Sequence, residues 1–174
     1  DRRLVIPEVK DAYLNLDLFE TFKYGATDGG KLFENNVINW VLSNQKELIT
    51  SKFKVTGLST PGGSGALSII FNSYGKVNDK VLVPNLRWRY EYFTKTAKMD
   101  VHEHNLFKDN KFDLDDFKKQ LSYLTTIQEK VIVVINDPCH NPTGYQLSEY
   151  EWKSIIEIVN GFNNNQIIIA SIYE

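Results

Sequence analysis

The chain has almost no cysteine: Cys139 is the only one in 174 residues. An intrachain disulfide is therefore excluded, and the composition fits a reducing compartment, the cytoplasm. Neither sign of charge is in excess. There are 20 basic and 22 acidic residues, for a formal net charge of -2, which gives no electrostatic footing for nucleic acid or for an anionic membrane. No apolar run approaches the roughly 20 residues that span a bilayer. No signal-peptide pattern opens the chain, which begins at Asp1-Arg2-Arg3 without Met. Internal repeats, low-complexity tracts and linker-like boundaries are also lacking. What is present is ordinary for a globular domain: 42% hydrophobic and 24% charged residues, with length enough for one hydrophobic core.

Strand-like and helix-like segments alternate along the chain. Phe33, Val37, Trp40 and Val41 predict a helix over 31–43. Residues 54–59 read as a strand. Gly62-Gly63-Ser64-Gly65 then leads into a helix through Ala66, Leu67, Ile70 and Phe71. Residues 80–83 read as a short buried strand stopped by Pro84, followed by a helix over about 88–97 and a strand over 100–104. Asp113 is placed to cap a helix whose apolar stripe is Leu114, Phe117, Leu121 and Leu124. The β-branched run Val131 to Ile135 marks a strand covered on both faces. Ser148 and Glu151 have capping-box spacing, ahead of Trp152, Ile155, Ile156 and Val159 on one helix face. Residues 167–169 read as a further buried strand. This rhythm predicts a three-layer α/β/α fold with a mostly parallel sheet. In such sheets ligands sit at the carboxyl ends of the strands.

Two segments at those positions carry chemistry. Thr60-Pro61-Gly62-Gly63-Ser64-Gly65 precedes a helix, where glycine lets a ligand approach the backbone and free amides attract an anion. It is neither a Walker A loop nor a GxGxxG fingerprint, so a glycine-rich turn and a phosphate site both stay open on the residues alone. Asp137-Pro138-Cys139-His140-Asn141-Pro142-Thr143-Gly144 follows the Val131 to Ile135 strand. Pro142 biases Asn141 away from the α region, and Asn141 can both donate and accept. A plain turn remains the competing reading. His102 and His104 share a strand face. With too few further ligands for a metal, they read as solvated strand histidines. Cys139 beside His140 is a poor nucleophile pair, because sequence neighbours rarely meet in that way.

Taken together, the segments resemble a known family. His140-Asn141-Pro142-Thr143-Gly144 resembles the signature of class I aminotransferases of pyridoxal 5'-phosphate (PLP) fold type I. Thr60 to Leu67 resembles the phosphate cradle of the aspartate and aromatic branch. Asn85-Leu86-Arg87-Trp88 is similar to that branch's Asn-Pro-x-Trp, and Tyr24 to Gly29 is similar to its Tyr-x-x-x-Asp-Gly. The resemblance implies that Gly62, Gly63 and Ser64 bind the cofactor phosphate and that Trp88 stacks on the ring. It implies that Asn141 bonds the 3-oxygen and the substrate carboxylate, with Tyr173 donating to the same oxygen. Tyr24 would reach the phosphate of a neighbouring subunit in a homodimer. Arg87 and Arg89 flank the site without an assigned role. The implied reaction is amino-group transfer between an amino acid and a 2-oxo acid. A PLP-dependent lyase, or a non-catalytic homologue that keeps the fold, are the alternatives.

Two departures stand out. Where the family has Asp-x-Ala-Tyr, this chain has Ala170-Ser171-Ile172-Tyr173. The missing aspartate is the one that keeps the pyridine nitrogen protonated. Ser171 is expected on the opposite strand face. No segment resembles the family's lysine-bearing region, so residues 1–174 are expected to be the PLP-binding part of the large domain. The Schiff-base lysine and the small domain would then lie downstream of Glu174.

Overall fold

The computed structural model describes residues 4–162 and 166–172. The residues up to Ser59 and those from Thr60 onward form two compact units.

The first unit is helical: α1 (Pro7–Leu14), α2 (Leu18–Phe22), α3 (Gly30–Leu42) and α4 (Lys46–Thr50). Pro7 opens α1, where the missing amide has no helical acceptor to lose. Asp17 caps α2 by accepting from the Phe19 and Glu20 amides. Gly29, at φ 90°, starts α3, and a Cβ there would fall 2.7 Å from that of Ser59. Both backbone and space demand glycine at this position. The helix over 31–43 is found within a residue. The strand over 54–59 does not form. Ser59 donates to the Asp28 carbonyl at 2.8 Å and Thr56 Oγ1 to Glu34 Oε1 at 2.7 Å. Single ties of this kind replace a ladder, which needs a neighbouring strand that the alternation cannot supply. No described residue of this unit is buried.

The second unit is built on a parallel four-stranded sheet in the order β2-β1-β5-β6. Its strands are β1 (Lys80–Pro84), β2 (Asp100–His104), β5 (Lys130–Asn136) and β6 (Gln166–Ile172), with a small antiparallel pair β3 (Phe107–Lys108) and β4 (Lys111–Phe112). Helix α5 (Gly62–Tyr74) leads into β1, and α6 (Glu91–Thr96), α7 (Leu114–Ile127) and α8 (Glu149–Asn160) lie between later strands. Two cores follow from strand alternation. Leu82, Val131, Val133 and Ile135 pack with Phe117, Leu121, Leu124 and Ile155 on the α7/α8 face. Val81, Val83, Ile132, Val134 and Ala170 pack with Leu67, Phe71 and Tyr90 on the α5/α6 face. Every residue from Val131 to Asn136 is buried, as a strand between two neighbours requires. In β6, Ile167 to Ile169 are only half-buried, because the described sheet pairs β6 on one side alone.

The caps are as expected: Asp113 accepts from the Asp116 amide, and Ser148 and Glu151 form a full capping box. Three expectations change. The helix over 88–97 starts only at Glu91, because Tyr90 donates to the Trp88 carbonyl at 2.9 Å and closes a tight turn first. Ile156 is exposed, and Ile158 packs on the α7/α8 core in its place. Of the two strand histidines, His104 is not solvated and His102 is half-buried. His104 is buried against Phe112 and Phe117. It holds the Asn105 carbonyl through Nδ1 at 2.8 Å, and burial pushes its pKa down to about 4. His102 pairs with Gln120 at 2.9 Å.

Candidate functional site

In this parallel sheet the carboxyl ends of the strands share one edge, and α5 begins there. Pro61, without an amide, leads into Gly62 at φ 64°. That left-handed residue turns the chain sharply enough to aim the first-turn amides outward. The Gly62 and Gly65 amides go to the Thr60 and Pro61 carbonyls. The Gly63 and Ser64 amides lie in the first turn, where helical geometry supplies no acceptor four residues back. A Cβ at Gly62 or Gly63 would meet nothing within 4 Å, whereas at Gly65 it would come within 2.6 Å of Pro61. The turn thus shows a bare backbone face to open space, carrying the positive end of the helix dipole.

That face borders a cavity of about 400 Å³ lined by Gly63, Ser64, Ala66, Leu67, Ile70, Trp88, Ala170 and Ser171. Its size suits a small ligand. One end offers amides and a hydroxyl. The walls are apolar, and no side chain among the described lining residues is ionisable. Trp88 is propped from behind by Phe93, stacked at 5.7 Å, and by Tyr90, edge-on at 5.9 Å, leaving a face for a flat ring. Ala170 belongs to the α5/α6 core. Ser171 is in register with Ile135 of the other core, and it also lines the cavity beside Ala170. Its Oγ is buried without a hydrogen-bond partner among the described residues.

The loop after β5 is pinned along its length. Asp137 accepts from the Leu147 amide at 2.7 Å and the Trp152 indole at 2.9 Å. His140 donates its amide to the Tyr145 carbonyl and pairs through Nδ1 with Thr143 Oγ1 at 2.9 Å. Burial lowers its pKa. Cys139 is exposed and no hydrogen bond between it and His140 is found among the described residues. Asn141 is half-buried and donates its amide to Asn136 Oδ1 at 3.1 Å.

The expected site residues are thus distributed as follows. Gly63, Ser64 and Trp88 share the cavity with Ala170. Gly62 turns the chain beside it. Asn141 stands on the neighbouring loop at the same sheet edge but does not line the cavity. Tyr24 lies in the first unit with its side chain almost wholly exposed. Tyr173 lies outside the described residues. Arg87 is not on offer to a ligand. It pairs with Glu91, with Glu103 at 2.8 Å and with the Pro84 carbonyl at 3.2 Å. Burial opposes its charge, and the two carboxylates outweigh that and raise its pKa. Among the described residues Arg89 reaches the Tyr92 hydroxyl, at 3.5 Å. Sequence reasoning passed over Asn136 and Tyr90. The one visible signal was that Asn136 is a polar residue ending a run of buried aliphatics.

The sequence model of aminotransferase classes I and II matches residues 1–174. The chain belongs to that family. Among aminotransferase relatives, it is 27% identical over 160 residues to an aromatic-amino-acid aminotransferase of Pseudomonas aeruginosa, covering 89% of this chain and 39% of that one. It is 28% identical to the aspartate aminotransferase of Escherichia coli, covering 88% of this chain and 39% of that one. A crystal structure of an aminotransferase from Anaerococcus prevotii superposes with a TM-score of 0.89 at 25% identity, covering 97% of this chain and 41% of that one. The present chain therefore spans about two fifths of the length of these relatives. No helix among its described residues is long and apolar enough to cross a membrane.

Proposed function

We propose that this chain is the cofactor-holding part of a PLP-dependent aminotransferase, acting on an amino acid and a 2-oxo acid. The observation that carries the reading is the cavity, with first-turn amides at one end and Trp88 on its wall. A phosphorylated planar ring fits that combination. The bare face at Gly63 leaves room for phosphate oxygens, Ser64 adds a hydroxyl, and Trp88 and Leu67 flank the ring. Asn141 would orient the ring's oxygen substituent. When bound, the cofactor supplies the electron-accepting ring through which an amino group is moved. The residues present here bind, orient and keep water from that ring. The lysine that would hold the cofactor covalently is proposed to lie on the part of the protein beyond these residues. Family resemblance also supports a homodimer, in which the exposed Tyr24 is available to a second copy. A lone exposed cysteine supports a cytoplasmic setting.

Ala170 favours a second reading, a homologue that binds the cofactor without ordinary transamination. Among the described residues the cavity offers no carboxylate to a ring nitrogen.

The test is titration of the chain with pyridoxamine 5'-phosphate, which needs no lysine. Saturable binding is expected, competed by inorganic phosphate. Gly63→Asp should abolish it, since the added Cβ meets nothing within 4 Å and the carboxylate repels the phosphate. Absence of saturable binding would sink both readings. An amine-transfer assay on the full-length protein then separates them, binding without turnover supporting the second.

A further inference from the structure

We infer that Asn136 is a positioning residue that fixes Asn141, on the loop beside the cavity, relative to Trp88 on its wall, an inference that rests on the cofactor reading above. Asn136 is the last residue of β5 and is buried. It does not line the cavity. Its Oδ1 accepts the Asn141 amide at 3.1 Å, and its Nδ2 donates to the Tyr90 hydroxyl at 3.2 Å. A backbone amide can only donate, so the orientation of the Asn136 carboxamide is fixed by chemistry. Tyr90 in turn meets the Trp88 ring edge-on. One carboxamide therefore joins the loop after β5 to the turn after β1, the two arms that present Asn141 and Trp88. Both bonds run through a buried side chain at a strand end, the most rigid place available. No apolar residue of the same volume could make either.

The experiment is a double-mutant cycle on pyridoxamine 5'-phosphate affinity, with thermal unfolding measured alongside. Asn136→Leu keeps the volume and removes both bonds. It should weaken binding about 10-fold, the usual worth of one or two buried hydrogen bonds. Asn136→Asp keeps the acceptor for the Asn141 amide and should restore most of the affinity. In an Asn141→Ala background, Asn136→Leu should cost little further affinity, although its effect on unfolding persists. A purely structural role would instead lower affinity equally in both backgrounds, and additive losses overturn the inference. Asn136→Ala closes the same cycle if the leucine variant does not fold. Failure of the unmutated chain to bind the probe would overturn the cofactor reading. Additivity on top of normal binding overturns only the role of Asn136.

Discussion

If the cavity holds the cofactor as proposed, Ala170 is the lining residue with the largest chemical consequence. In the proposed complex the ring would lie beside Ala170, with no ionisable side chain among the described lining residues, and burial without a counter-charge disfavours a pyridinium. Pyridoxamine 5'-phosphate carrying ¹⁵N in the ring, bound to the wild-type chain, should show an unprotonated nitrogen at neutral pH. Ala170→Asp should shift that resonance to the protonated position. A wild-type complex already protonated would show that another group supplies the charge. His104 gives a second prediction at this scale. Its folded pKa of about 4 lies below the ordinary 6.5. Between those values the unfolded chain binds the extra proton, so stability falls as pH drops from 6.5 to 4. Urea midpoints should decline across that window, and His104→Leu should flatten the decline.

At the scale of elements, α8 rests on one carboxylate. Glu151 accepts from the Ser148 amide and hydroxyl, at 2.8 and 2.7 Å, and from the Tyr145 hydroxyl at 2.7 Å. The Phe112 amide adds a fourth bond, at 3.0 Å. Burial works against its charge, and these donors overcome that, bringing the pKa down to about 2 from 4.5. The folded pKa is the lower one, so the stabilisation is complete above 4.5 and is lost as pH falls toward 2. Its size is on the order of 3 kcal/mol. Glu151→Gln should lose an amount of that order at neutral pH and show a shallower acid limb in urea titrations. The cap itself was legible from Ser148 and Glu151 alone, as β5 was from its β-branched run, because both signals are local. The short start of the helix at Glu91 was not legible. It depends on the turn that Tyr90 closes onto Trp88 and on the Arg87 bonds at the end of β1, none of which has a periodicity. Asn136 went unread for a related reason: its partners, Tyr90 and Asn141, come from two different loops. His104 was misread because the two phenylalanines that bury it arrive from later in the chain.

For the whole molecule, burial is divided unequally. Every buried side chain described belongs to the residues from Thr60 onward, so cooperative unfolding should reside there. A fragment of residues 60–174 should unfold in one sigmoidal transition, and residues 1–59 alone should show no transition by circular dichroism. Phe117→Ala, which empties a fully buried site on α7, should cost roughly 3–5 kcal/mol and lower that single transition as a unit. A second, independent transition in the fragment would show that the two cores on either side of the sheet are not energetically one.

The cavity also has a history in time. Ser64 and Ala170, on its two sides, stand more than a hundred residues apart in sequence, and β1 meets its neighbour β5 only after some fifty intervening residues. Contacts of such separation form late, after loop closure has been accomplished. The helix turn that carries Gly63 is local and can form early. The pocket it serves comes into being only when β6 docks, so a ligand that requires the complete pocket has nothing to bind in any earlier intermediate and acts on unfolding far more than on the speed of folding.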